Sequence, residues 1–367
     1  MRRILVTGGA GFIGANFCHY WTTEHPADRV LVLDALTYAG NVASIDALIR
    51  SQRLRFVQGD ICDRDRVASL MNEEHIDTIV NFAAESHVDR SIEDPQIFLR
   101  TNVMGTHSLL EAARAAWPQP HRGAERFHHV STDEVYGSLG PADPPFAETT
   151  PYAPNSPYSA SKAAADHIVR AYAHTYGIPC TISNCSNNYG PFQFPEKLLP
   201  LCIVNILEGR PLPIYGDGMQ IRDWLHVHDH CRAIDVILRE SAPGETWNIG
   251  GGSNEPNIAI VQAVCDLVDQ QFRQSPELLA RYPRSAPARG SASRTLIQYV
   301  RDRPGHDRRY AVDSSKIASL GFSAATPLHQ GLMATVQWYL QHEPWWRAIV
   351  SGEYRSWYRR QYTAAAP

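Results

Sequence analysis

Along the first 190 residues, short unbroken apolar runs alternate with longer stretches whose apolar positions recur at helical spacing. The segments "RILVTG", "RVLVLDA", "LRFVQGD", "DTIVNFAA", "RFHHVST" and "PCTISNCS" predict strands. Their apolarity is continuous rather than alternating, so each strand is expected to be covered on both faces. Such strands separated by helices predict an α/β fold, a Rossmann-type doubly wound parallel sheet, over residues 1–190.

Beyond "NNYGP" the regularity fades. Residues 191–367 predict a smaller α/β C-terminal domain, with helices at Leu198 to Leu207 and Ile258 to Phe272 and a strand in "ETWNIGG". Some crossing of the chain between the two domains is expected. "SPELLARYPRSAPARGSASR" is rich in Pro, Arg, Ser and Ala, and predicts an exposed or partly disordered loop.

Composition narrows the classes. With 44% hydrophobic and 20% charged residues, the 367-residue chain can bury a sizeable core. Its 34 basic and 38 acidic residues leave a formal charge of −4, with no footprint for nucleic acid or a membrane surface. Any phosphate must therefore be bound locally. The seven cysteines are scattered without a C-x-x-C pair, so neither a disulfide framework nor a metal site is expected. "MRRILV" imitates a signal peptide's basic start, but its apolar run stops at Val6. No run approaches the roughly 20 apolar residues that span a bilayer, and a soluble cytoplasmic protein is expected.

Three motifs carry chemistry. "ILVTGGAGFIG" runs strand, glycine turn, helix, with Gly8, Gly11 and Gly14 at G-x-x-G-x-x-G spacing and Phe12 and Ile13 between them. Glycines there let a pyrophosphate sit on the N–H groups at the helix start. Asp34, closing the next strand, is placed to accept from ribose hydroxyls, and it disfavours a 2′-phosphate, so NAD is expected over NADP. Asp60 and Ile61 end a third strand, where they either flank an adenine or are a plain strand terminus; Ala83 ends the fourth. In "NSPYSASK", Tyr158 and Lys162 lie four apart on one helix face, where the lysine can stabilise a tyrosinate that takes a proton from a substrate hydroxyl. Lastly, "STDEVYG" sets Asp133 and Glu134 side by side after Thr132, at what reads as a strand end. By itself that is also what a solvated acidic turn looks like.

The glycine turn with Tyr158 and Lys162 resembles the extended short-chain dehydrogenase/reductase family, which acts on nucleotide sugars. "LTYAGN", "AAESHVDRSI", "STDEVYG", "NCSNNYGPFQFPEKLLPL", "LPIYGDGMQIRDWLHVHDH" and "RPGHDRRYAVD" are similar to its 4,6-dehydratases, over Met1 to about Tyr362. The resemblance implies NAD as cofactor, dTDP-glucose as substrate and a lyase reaction serving deoxysugar biosynthesis. It makes Glu134 the base at C5, Asp133 the acid at the C6 hydroxyl, and Thr132 a partner of the C4 oxygen. It further implies a sugar and diphosphate site from Ser86, His87, Asn187, Glu196, Lys197, Leu198, Pro213, Tyr215, Arg222, Asn257, Arg303, His306 and Tyr354. Asp89 lies in the same segment as Ser86 and His87, and His87 is equally readable as a structural histidine. A homodimer is implied, pairing helices around Asn102 to Trp117 and Ser156 to Tyr176. The long connection from Ser275 to Arg294 departs from the family pattern. A 4-epimerase, a dehydratase of a GDP or UDP sugar, and an NAD-binding regulator without catalysis remain as competing readings. Adjacent Asp133 and Glu134 count against the epimerase and the regulator.

Overall fold

The computed structural model describes residues 1–118, 121 and 123–350. Twelve strands occur among them: β1 Arg3–Thr7, β2 Arg29–Asp34, β3 Arg55–Gln58, β4 Thr78–Asn81, β5 Arg126–Thr132, β6 Cys180–Cys185, β7 Asn187–Tyr189, β8 Leu212–Tyr215, β9 Ile221–His226, β10 Thr246–Ile249, β11 Asn254–Pro256 and β12 Ile297–Val300. Seven form one sheet in the order β3-β2-β1-β4-β5-β6-β10. Every pairing in it is parallel.

Unbroken apolarity is explained by the two layers. On β1, Ile4 and Val6 pack with Phe17, Val32 and Val80 on one face, while Leu5 packs with Leu33, Ile79 and Phe127 on the other. Both sides are dry, so both phases of the strand are apolar. The strand order reverses between β1 and β4, which opens a crevice at the carboxyl ends of the strands.

The chain crosses back after residue 190. Strand β10 completes the main sheet beside β6, and Cys231, Ile234 and Leu238 of helix Val227–Glu240 join the core of Phe17 and Trp21. The second half also builds a core of its own around Ile203, Val261, Tyr339 and Trp346, under the small sheets β11-β9-β7 and β12-β8.

The segment read as an exposed loop is folded. Helix Glu277–Arg281 leads into buried Tyr282, which packs near Phe272 with ring centroids 6.2 Å apart and donates to Glu343 at 3.0 Å. Ser293 is buried too, and its backbone N–H donates to Asp269 at 3.1 Å. A few anchors within a small-residue composition suffice to pin the strap onto helix Asn257–Gln274.

Two helices position the site. Helix Pro157–Tyr176 starts on a Ser156/Ser159 capping box with Pro157 in its first turn, and it stops at Gly177, whose φ is 68°. The helical run from Pro95 to Ala116 contains a π-type segment, Leu99–Gly105. Within it, Asn102 donates to the Glu85 carbonyl at 3.0 Å and to Ser161 at 2.8 Å, tying this helix to the loop after β4 and to the Tyr-Lys helix.

Candidate active site

A cavity of about 500 Å³ lies over the crevice, and it brings the glycine turn, Asp34, Asp60, Ile61, Ala83, the Thr-Asp-Glu triplet, Tyr158 and Lys162 onto one wall system. Gly8 has φ 67°, and a side chain there would sit 2.7 Å from the Ala83 nitrogen. At Gly14 a Cβ would meet the Gly8 carbonyl oxygen at 2.3 Å. The turn therefore closes this tightly only with glycine at both places. Asp34 is fixed rather than free: Ala10 N–H donates to its Oδ2 at 2.9 Å and Leu36 N–H to its Oδ1 at 2.8 Å. Burial raises its pKa, and those two N–H groups oppose the rise. Asp60 accepts from Cys62 N–H at 2.9 Å and pairs with Arg100 at 3.2 Å. A bare backbone cradle, a buried carboxylate beyond it and a buried lysine at the far end fit a dinucleotide lying along the crevice.

Tyr158 and Lys162 face the same cavity. Lys162 is 3% exposed and donates to the Val130 carbonyl at 2.8 Å. Burial, then Glu134 and Cys185, push the Tyr158 phenol well up, while a hydrogen bond with Thr132 opposes them.

The triplet is no solvated turn. Strand β5 ends at Thr132, and Asp133–Tyr136 form a short 3₁₀ turn in which Asp133 is 2% exposed. Thr132 Oγ1 accepts the Glu134 N–H at 3.3 Å and donates to Asp133 Oδ1 at 3.4 Å, and both acidic residues line the cavity. Burial, Glu134 and Asp223 raise the Asp133 carboxyl well above its ordinary range. For Glu134, burial raises the pKa, and Arg303, Arg222 and Lys197 pull against it. Both carboxyls are raised, Asp133 the more strongly, so the adjacent pair can offer an acid and a base.

Asn187 of β7 reaches the cavity, as do Glu196 and Lys197 from the second half and Ser86 after β4; Lys197 donates to the Ser86 carbonyl at 3.0 Å. Behind them lies a cationic shelf. Arg303 donates to Asp89 Oδ1 at 3.1 Å, Tyr215 to Asp89 Oδ2 at 3.1 Å, and Arg222 stands 4.2 Å over the Tyr310 ring. His306 lies edge-on to Tyr215 at 6.0 Å and is 2.6 Å from Asp302; burial, then Arg303, bring it down to about 4. His87 is buried, and its pKa is held well down by that burial, Lys197, Arg303 and Arg90. Leu198 opens helix Leu198–Glu208, Pro213 sits in β8, and the Asn257 N–H donates to the Gln220 carbonyl at 2.9 Å. None of these last three lines the cavity, and neither do His87, Tyr215, Arg222, Arg303 and His306. Tyr354 lies outside the described residues.

A family model described as GDP-mannose 4,6 dehydratase matches residues 5–335. The dTDP-glucose 4,6-dehydratase of Neisseria meningitidis serogroup B is 50% identical over 359 residues, 97% of this chain and 98% of that protein. That of Xanthomonas campestris pv. campestris strain B100 is 54% identical over 355 residues, 96% of this chain and 97% of the other. The chain belongs to the dTDP-glucose 4,6-dehydratase family. A solved structure of the Streptomyces venezuelae dTDP-glucose 4,6-dehydratase with NAD and TYD bound superposes with TM-score 0.84 at 43% identity, covering 95% of this chain and 99% of that one. The Thermus thermophilus UDP-glucose 4-epimerase, in complex with NAD, shares the fold at TM-score 0.79 and 26% identity, covering 93% and 99%.

Several residues of this dehydratase-family site escaped the sequence reading. Arg90 lies 3.8 Å over the Tyr38 ring and 3.4 Å from Glu196, bracing the loop that carries Lys197. Asp223 bears on Asp133, and Asp166 bears on Lys162. Only Asp166 left a local signal, one more i, i+4 step beyond Lys162.

Proposed function

We infer that the protein converts dTDP-glucose to dTDP-4-keto-6-deoxyglucose, serving deoxysugar biosynthesis. The observation that carries this reading is the placement of adjacent Asp133 and Glu134 beside Tyr158 in one cavity, with Asp133 the more strongly raised. Bound NAD supplies a hydride acceptor at C4 and a hydride donor at C6. Tyr158 takes the C4 hydroxyl proton, with the Lys162 ammonium on the same helix face favouring the phenolate, and Thr132 holds the C4 oxygen. The new ketone makes the C5 proton acidic, and Glu134 removes it. Asp133 gives its proton to the departing C6 hydroxyl as water. Glu134 then returns its proton to C5, and the proton Tyr158 took balances the one Asp133 gave; because the hydride equivalent lost at C4 is regained at C6, the reaction ends with no net redox change.

The remaining residues sort by place. Gly8, Gly11, Phe12, Ile13 and Gly14 cradle the dinucleotide phosphates, Asp34 takes the ribose, and Asp60 and Ile61 flank the base. Ser86, Asn187, Glu196 and Lys197 line the sugar end of the cavity. Arg222 and Arg303 offer guanidinium forks to a diphosphate, with His306 and Tyr215 beside them. The thymidine diphosphate in the substrate is supported by relatives of that name at 50% and 54% identity. Residues 191–367 supply most of this half of the site, and residues 1–190 the cofactor half.

We also propose a homodimer formed through helix Pro157–Tyr176 and the helical run from Pro95 to Ala116, because Leu99 and Met104 of that run are more than half exposed and Tyr176 is 43% exposed. A cytoplasmic location is supported by seven unpaired cysteines and by the lack, among the described residues, of a helix long and apolar enough to cross a membrane.

The deciding experiment is incubation with dTDP-glucose, UDP-glucose and GDP-mannose separately. A 4-keto-6-deoxy product is expected from dTDP-glucose; C4 epimerisation without loss of water would replace this reading with the epimerase.

A further inference from the structure

Helix Pro157–Tyr176 presents Tyr158, Lys162 and Asp166 as one stripe. Asp166 is fully buried, and its Oδ2 accepts from Ser131 at 2.8 Å and from the Tyr152 hydroxyl at 2.9 Å. Arg170 donates to the Tyr152 oxygen at 2.7 Å, so the Tyr152 proton is left to point at the carboxylate. The other oxygen, Oδ1, lies 3.5 Å from His129 Nε2. Asn81 Nδ2 lies 3.1 Å from His129 Nδ1, while Asn81 Oδ1 accepts from Thr7 at 2.6 Å. With the amide assigned that way round, Nδ1 is an acceptor and the ring proton sits on Nε2. The ring is then neutral, with its N–H toward Asp166 and the Lys162 ammonium 3.4 Å from the same nitrogen.

We infer that Asp166 is a positioning residue for the oxidation at C4, its charge acting across the neutral His129 ring to keep Lys162 cationic beside Tyr158. The inference rests on the dehydratase reading above. A buried ammonium without a counter-charge sheds its proton, and burial does lower the Lys162 pKa. Asp166 leads the groups that oppose this, ahead of the Cys185 thiol of β6. The other titratable or charged neighbours are Tyr158 and Arg170 on the same helix, His129 of β5, and Tyr152 before the helix; Asp133 and Glu134 bear on Tyr158. Among these groups Asp166 is the carboxyl that favours the charged lysine; burial raises its own pKa, and Lys162, Ser131, Tyr152 and Arg170 oppose that rise.

The test is the pH profile of NADH appearance in single turnovers with dTDP-glucose, comparing wild type with Asp166→Asn and Asp166→Glu. In Asp166→Asn the alkaline limb should move down by about one to three pH units, as expected for loss of a close opposite charge. Asp166→Glu should restore most of the wild-type position. A merely structural loss lowers the rate at every pH and leaves the limb where it was, and that result overturns the proposal. Should Asp166→Asn not fold, Asp166→Ser removes the charge with less bulk and is scored on the same limb. Wild type failing to form NADH from dTDP-glucose refutes the dehydratase reading instead, which separates the two failures.

Discussion

Asp133 and Glu134 are neighbours at the end of β5, yet Arg303, Arg222 and Lys197 all bear on Glu134, while at Asp133 the charges of Glu134 and the buried Asp223 come ahead of Arg222. That asymmetry favours the proton on Asp133 over Glu134, the division of labour that the proposed elimination across C5 and C6 requires. Asp133 is the acid only while protonated, so its share of the activity is lost as pH rises through its raised pKa.

The two carboxylates should therefore fail differently. Glu134→Gln should still oxidise C4 and then stall, accumulating NADH absorbance and the 4-keto sugar, with slow entry of solvent deuterium at C5. Asp133→Asn should exchange the C5 proton but lose water poorly. Each loss is expected to cost about 100- to 10,000-fold in turnover. Tyr158→Phe should abolish both signals. Near-normal turnover by Glu134→Gln would remove it as the C5 base.

Arg303 is held at Asp89, 214 residues away in the chain, and its charge reaches Glu134. Replacing it by Met should raise KM for dTDP-glucose about 10- to 100-fold, the size of one charge-assisted hydrogen bond, and should disturb the C5 exchange rate less. Lys at this position should recover only part of the loss, because it lacks the fork. An unchanged KM would move the diphosphate away from the Arg303 shelf.

Asp34 is pinned by the N–H groups of Ala10 and Leu36, so its carboxylate is aimed before any cofactor arrives. Asp34→Ala should weaken NAD about 10- to 100-fold by losing charged hydrogen bonds. It should also narrow the gap to NADP, since the repelling charge is gone. Titration of both cofactors into protein stripped of nucleotide reads this directly. If the preference for NAD is untouched, the adenosine ribose is recognised elsewhere.

What was legible in the chain was local. The glycine turn, the Tyr158/Lys162 spacing and the Thr132-Asp133-Glu134 run each lie within one turn of backbone, so residue type and spacing alone expose them. Strand β10 joining the main sheet, Arg303 meeting Asp89, and Asp223 bearing on Asp133 depend on distant segments folding together, and they leave no period or spacing to read. The Ser275 to Arg294 strap misled for another reason. Its composition is that of a loop, but Tyr282 and Ser293 are buried and each finds a partly buried partner, which composition cannot weigh.

His128 offers a stability prediction independent of catalysis. It is fully buried on β5, with Nδ1 2.9 Å from Thr181 Oγ1 and Nε2 3.1 Å from Ser183 Oγ on the neighbouring β6. Burial, with a smaller contribution from His230, pushes its pKa down to about 3. The unfolded chain takes up that proton near pH 6.5, so the unfolded state binds more protons below that point. The His128 contribution is thus complete above about pH 6.5 and is lost as pH falls toward the folded value. Other buried groups titrate in the same range, some with the opposite sign, so the comparison must be with a variant lacking only this titration. Between wild type and His128→Gln, both with NAD bound, the stability gap from urea unfolding should be flat above about pH 6.5 and shrink by about 1.4 kcal/mol per pH unit below it. A gap that stays constant down to about pH 5.5 would mean that His128 takes its proton as readily in the folded protein as in the unfolded chain.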